Sequence, residues 1–451
     1  MRWYPHSGTG PLDLVLYGHY NHVHLDAALC NELQDRAERD VIRRLHLHSE
    51  NSELLSSIIS LLTVKCEGTR SNNVESFILW NRGGARVDLS DFFSHCRFLK
   101  LRHLFFTRCT FSSWDRLASL TGALTTLDLA TSFPSPSPTT SQLLSILASN
   151  PLLRKIGLDR RVIPDDDGDR SSFRVPLRHL DKLELTGDLQ DVFRFLHRLD
   201  HPKNMYCLVL ELENCLPVEV SQLIGPYVRD YLRGRDRSRN GLELSLSSLS
   251  SLSSDRGINL HVSDAPGTTF QPADTFVGIT VGLNEVLPGD ALEEVTLDLI
   301  AHVPGQEIVH FTTVGILTDM GNIYPRFPNL RTLSFDGILL SAAFPEPDRN
   351  NGALISLQHI SFRDLVTGLG DWGLGDWGPL TTFLACRASS GNQLNILEIS
   401  GSPHMCSATV EVIRGMVGEF KIGHQNPLCP FCTCPEVSTD WSFSMFPTEI
   451  F

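Results

Sequence analysis

The chain has 451 residues, of which 41% are hydrophobic and 20% charged, and its formal net charge is −14. That is enough apolar material for a large core. The acidic balance argues against general binding to nucleic acid or to anionic membranes, since both need an excess of Lys and Arg. No apolar run reaches the roughly 18 residues of a membrane-spanning helix. The opening MRWYPHSGTG lacks the apolar stretch of a secretory signal. The 11 cysteines, an odd number at irregular spacings, read as free thiols of a reducing compartment. The expected location is therefore cytoplasm or nucleus.

Residues 1–40 read as an N-terminal linker or cap. The segment PLDLVLYGH is followed by AALCNELQDRAERDVIRRLHLH, which reads as a helix. Between them His19, His22 and His24 read as surface histidines, although Asp26 and Cys30 leave a metal site open as the alternative.

From residue 41 a spacing recurs: apolar, two residues, apolar, one residue, apolar. Ile42-Leu45-Leu47, Val74-Phe77-Leu79, Leu101-Leu104-Phe106, Leu124-Leu127-Leu129, Leu153-Ile156-Leu158, Leu180-Leu183-Leu185 and Cys207-Leu210-Leu212 fit it. So do Leu292-Val295-Leu297, Leu330-Leu333-Phe335, Leu357-Ile360-Phe362 and Leu394-Leu397-Ile399. The matches count for less than their phase: from Leu101 to Cys207 they step by roughly 23 to 29 residues, the period of leucine-rich repeats. Cys109 and Cys215 fill the Asn/Cys position that closes a repeat strand. Amphipathic helices fit between strands, as after Asp188, where Leu189, Val192, Phe193 and Leu196 share one face.

One strand and one helix cannot bury their own apolar faces, but stacked copies can. The expected fold is α/β: an irregular leucine-rich-repeat solenoid over 41–424, with parallel strands on one face and helices and loops on the other. An ordinary α/β domain is the alternative. Insertions are expected near 133–141, 233–256 and 368–379, where Pro, Gly and Ser are dense, with one strand and a Ser-rich loop read in GLELSLSSLSSLSSDRG and a further candidate strand in GINLHV; a cap or tail is expected over 425–451.

SGTGPLDLVLYGH (7–19), followed by irregular leucine-rich repeats, resembles the F-box proteins of mushroom-forming fungi. The resemblance implies the substrate-recognition region of an F-box-type ubiquitin-ligase receptor. The F-box itself would lie upstream of Ser7 and is missing, so a Skp-type adaptor is an expected partner only if such a module exists.

Chemistry is sparse in the sequence. His424, Cys429, Cys432 and Cys434 are crowded for a tetrahedral zinc site and read as free thiols of a tail, with His404 and Cys406 as a second pair that leaves a zinc site open as the alternative. PDDDGDR (164–170) fails the calcium-loop spacing. Arg229, Arg233, Arg235, Arg237 and Arg239 are diluted by acids. No catalytic residue, cofactor or metal site is assigned, and an enzyme with an unrecognised site is the alternative function.

The outward strand positions give the expected partner surface. Arg44, His46, Trp80, His103 and Phe105 form an apolar and basic start. Glu184, Glu211 and Glu213, then Glu294 and Asp298, form an acidic continuation. A protein partner is expected to set an apolar element against Trp80 and Phe105 and a basic segment against the acids.

Overall fold

The computed structural model describes residues 12–18, 42–65, 73–96, 98–111, 114–119, 123–129, 137–164, 173–202, 205–233, 242–250, 256–264, 275–283, 289–315, 320–337, 340–344, 354–364, 377–401, 405 and 407–423. The chain divides into two compact units, 1–316 and 317–451.

The strands of the first unit are β1 Leu12–Gly18, β2 Ile42–Ser49, β3 Ser76–Asn81, β4 Val87–Asp88, β5 His103–Thr107, β6 Cys109–Thr110, β7 Thr126–Leu129 and β8 Lys155–Leu158. They continue with β9 Val175–Pro176, β10 Lys182–Asp188, β11 Leu199–Asp200, β12 Cys207–Cys215, β13 Leu242–Ser250, β14 Arg256–Asp264, β15 Thr275–Leu283 and β16 Ile308–Val314. The main sheet of this unit runs β1-β2-β3-β5-β7-β8-β10-β12-β15-β14-β13-β16. Each described pair in it is parallel except β13–β14 and β14–β15. The second unit holds β17 Thr332–Asp336, β18 His359–Arg363, β19 Leu394–Ser400 and β20 Val417–Ile422, paired in that order and parallel.

The anchors behave as their spacing requires. Leu45, Leu47, Phe77, Leu79, Leu104, Phe106, Leu183, Leu185, Leu333 and Phe335 are all buried. Thr332 and Ser334, alternating with Leu333 and Phe335, lie less deeply, because successive strand residues face opposite ways. Beneath the sheet the anchors meet helices. Phe77 lies 5.1 Å from Phe92 of the helix Ser90–His95 and 5.2 Å from Phe106 of the next strand. Asp188 caps the helix Leu189–Leu196 by accepting the Gln190 amide at 3.0 Å, and that helix buries Leu189, Val192, Phe193 and Leu196 as expected. Thr139, at the end of the expected 133–141 insertion, closes a capping box with Gln142 on the helix Thr140–Ala148.

Strand exits repeat a backbone device. Arg108, Asn214 and Asp364 take positive φ, as do Gly315, Gly337 and Gly401. Asn, Asp and Gly tolerate this left-handed turn. Arg108 is held there by its guanidinium, which donates to the Gly83 carbonyl at 3.1 Å, and by its own carbonyl, which accepts from Asn81 Nδ2 at 3.2 Å. The residues after two of these turns, Cys109 and Cys215, are buried as their repeat position requires.

Several expectations are corrected. Leu292-Val295-Leu297 is not a strand but part of the helix Gly289–Ala301. Val295, Leu299 and Ile300 are buried there, a three-to-four-residue period that belongs to a helix. Residues 42–48, which fit both the repeat spacing and the end of the expected helix, are a strand paired with β1, as the repeat spacing requires and the helix reading does not. In and just after the expected 233–256 insertion, the strand read in GLELSLSSLSSLSSDRG is β13 and the one read in GINLHV is β14, so this stretch belongs to the sheet. In β13, Leu242, Leu244 and Leu246 are buried while Glu243, Ser245 and Ser247 alternate outward. The histidines at 19, 22 and 24, the acidic run 165–170, Arg235, Arg237 and Arg239, residues 365–376, His404, Cys406 and the tail from 424 lie outside the described residues.

Candidate binding surface on the sheet face opposite the helices

Pairing register aligns the outward residues into rows across the first unit's sheet. One row is Val15, His46, Ile78, Phe105, Asp128, Gly157, Glu184 and Val209. A second places Arg44, Ser76, His103, Thr126, Lys155 and Lys182 side by side. At about 4.8 Å per strand step, His46 and Glu184 stand roughly 24 Å apart along the first row.

The β2–β5 end is aromatic. Trp80 is 41% exposed despite its size. The His48 ring stacks on it at 5.2 Å and 19°, Phe105 lies 5.6 Å away, and the Arg82 guanidinium sits 5.1 Å from its ring centre. His46 Nε2 is 2.9 Å from Ser76 Oγ, and His103 Nδ1 is 3.1 Å from Thr126 Oγ1. Burial, then the Arg44 charge, lowers the His46 pKa. Burial, then Arg102 and Arg44, lowers that of His103. Both imidazoles are therefore neutral at pH 7. Arg44 itself is spoken for in part, since Asp13 lies 3.5 Å from it.

The β7–β12 end carries the acids, but they are not bare. Lys155 lies 3.3 Å from Asp128 and 3.7 Å from Glu184, and Lys182 lies 2.6 Å from Glu184. Burial works against the Lys182 ammonium, yet the Glu184 hydrogen bond and charge prevail and raise its pKa. Thr186 donates to Glu211 at 3.0 Å, and Arg160 pairs with Glu213. Four carboxylates thus face three cations, so the acidic end is a cross-linked charge network and not a field of one sign.

Glu294 and Asp298 do not join this surface. Both lie on the helix Gly289–Ala301, where Asp298 accepts a hydrogen bond from Ser221. Sequence reading placed them on a rung because a strand and a helix share the i, i+3 apolar spacing. It missed Arg82, which with His48 frames Trp80. His48 was legible as the register neighbour of Trp80 two positions after His46.

Among the described residues no cluster of three His, Cys, Asp or Glu is placed to hold a metal, and no helix is long and apolar enough to cross a membrane. No family model and no curated protein matches the chain. Among solved structures, the crystal structure of a TLR13–ssRNA13 complex is similar over 86% of this chain and 50% of that one, at 11% identity and a TM-score of 0.35. The chain spans about half of that protein's length, and a likeness this distant carries no argument.

Proposed function

We propose that the chain is a non-enzymatic binding scaffold, an irregular leucine-rich-repeat solenoid whose outward sheet face takes a protein partner. The observation that carries this is Trp80: a large aromatic, partly exposed, set among His48, Phe105 and Arg82 on regular strands. Aromatic and Arg side chains dominate interface energies when a partner covers them, and exposed apolar residues in a cluster mark contact sites. The Asp128–Lys155–Glu184–Lys182 network beside it supplies polar rim contacts that fix register. The partner best suited sets an apolar side chain on Trp80 and Phe105 and a basic segment near Glu211, which accepts from the neutral Thr186 hydroxyl.

The resemblance of residues 7–19 to fungal F-box proteins supports a more specific reading, the substrate-recognition region of a ubiquitin-ligase receptor. Affinity purification of the full chain from its native cells, in parallel with Trp80→Ala, tests both layers. Proteins retained by the native chain and lost with Trp80→Ala are the expected partners. An identical set from both chains would remove this face as the binding site. Repeating the purification with an upstream-extended form that carries an F-box tests the receptor reading: ligase components retained by that form alongside the same partners would support it, and their absence from that form would refute it.

A further inference from the structure

On the helical side of the first unit, the helix Leu189–Leu196, strand β11 and the helix Gly225–Arg233 enclose a cavity of about 240 Å³. An apolar cavity of roughly 150 Å³ is enough for benzene, so this one has room for a ring with a short arm. Its apolar wall includes Leu196 and the rings of Phe193 and Tyr227, which meet edge to face at 5.5 Å and 76°.

Most of the polar atoms at this wall accept hydrogen bonds, the Arg174 guanidinium being the exception. His201 Nδ1 lies 3.3 Å from the Pro202 carbonyl, and its Nε2 lies 3.1 Å from the Tyr227 hydroxyl. A carbonyl only accepts, so Nδ1 carries the proton and Nε2 accepts from the phenol. Tyr227 has thereby spent its only proton and keeps an acceptor lone pair. His197 Nδ1 lies 2.7 Å from the Phe193 carbonyl, so by the same logic its Nε2 is an acceptor. The neighbouring Tyr231 hydroxyl donates to the Met205 carbonyl and is likewise committed. Asp200 and Asp230 stand at the exposed rim, Asp230 with Arg229 Nε at 3.6 Å, and among the described residues Arg174 is the one guanidinium lining the cavity.

A pocket lined by aromatic faces, spent donors and two carboxylates is complementary to a cation on an apolar body. The geometry points to a binding site for a small organic ammonium compound. Its ring fills the space against Phe193 and Tyr227, and its N–H groups meet Tyr227, His197 and the Asp200 and Asp230 rim. Ring faces add cation–π attraction, and carboxylates make the charge-assisted hydrogen bonds an ammonium prefers. This site is independent of the sheet face and of the partner proposed for it.

The test is calorimetric titration of the full chain with phenethylamine, 3-phenylpropanoate and 2-phenylethanol at one ionic strength. The three probes share a ring and chain and differ in charge. The amine should saturate a single site with a dissociation constant near or below about 1 mM. The acid and the alcohol should bind at least about tenfold more weakly. Asp200→Asn and Asp230→Asn, both at exposed positions, should weaken the amine several-fold, and Tyr227→Phe should do the same if it folds. Amine-dependent shifts in the imidazole proton resonances of His197 and His201 would locate the site. No saturation by the amine with a folded chain, equal binding of the alcohol, or undiminished binding by both Asp variants would overturn the assignment.

Discussion

The Asp128 carboxylate lies directly over the bare α-carbon of Gly157, its register partner on the next strand. A β-carbon added at Gly157 would stand 2.8 Å from Asp128 Oδ1. Asp128 is only 4% exposed and is held by Lys155 from Gly157's own strand. Gly157→Ala must therefore push the carboxylate off its site and stretch the ion pair. The expected loss is roughly 1–3 kcal/mol, the usual cost of overpacking, read as a fall in the urea midpoint with an unchanged slope. The double variant Gly157→Ala/Asp128→Ala should recover part of it, because the clash is then gone.

Trp80→Ala separates folding from binding. The side chain is already 41% exposed, so the fold should lose only about 0.5–1.5 kcal/mol from its ring contacts. Partner affinity should fall by roughly 1–3 kcal/mol if Trp80 is an anchor. Surface plasmon resonance with an identified partner reads the second quantity and thermal unfolding the first.

Charge reversal acts on a different step. Glu211→Lys with Glu213→Lys removes the carboxylates that Thr186 and Arg160 now contact. Association should slow and its salt dependence should flatten, while dissociation changes little. Association rates at two ionic strengths check this.

Acid should destabilise the first unit through its histidines. His46 and His103 have folded pKa values below the ordinary 6.5, for both chiefly through burial. The unfolded chain then binds more protons over this range, so stability is complete above pH 6.5 and declines as pH falls through the lowered values. Burial raises the Glu243 pKa, and that group works the other way, nearer pH 4.5. Melting temperature should fall as the pH drops below about 6.5, the ordinary histidine value. His46→Gln/His103→Gln, which keeps a hydrogen-bonding group beside Ser76 and Thr126, should flatten that decline.

In the second unit Arg387 is buried with its guanidinium donating to the carbonyls of Leu354 and Leu357. Burial pushes its pKa down to about 10, which still leaves it charged at neutral pH. Arg387→Met keeps most of the volume but strips two carbonyls of their donor. A loss of roughly 1–3 kcal/mol is expected, measured by chemical unfolding.

The strands were legible because their signal is redundant. Three apolar positions per rung recur at a near-constant step, and each anchor between Leu101 and Cys207 is buried. Leu292-Val295-Leu297 failed because only its first interval was diagnostic, and a helix satisfies that interval equally well. Continuing the count to Leu299, Ile300 and Val303 would have exposed the longer period. Strand β13 was legible because its serines alternate with leucine, although their density also marked the region as an insertion. On the sheet face the aromatic end could be read from one residue per rung. The charge network could not, because Lys155 and Glu184 meet only through register. The cavity at His201 and Tyr227 was invisible in the sequence, since 26 residues separate two groups that share one hydrogen bond.

The excursion through β13 and β14 has a consequence for synthesis on the ribosome. Up to β12 each strand adds beside its predecessor, so the sheet can grow as the chain emerges. The strand that covers the free edge of β12 is β15, which begins only at Thr275, after β13 and β14 have been laid down further out. A nascent chain stalled between residues 215 and 275 therefore carries an uncovered row of backbone donors and acceptors, the kind of edge that recruits other chains.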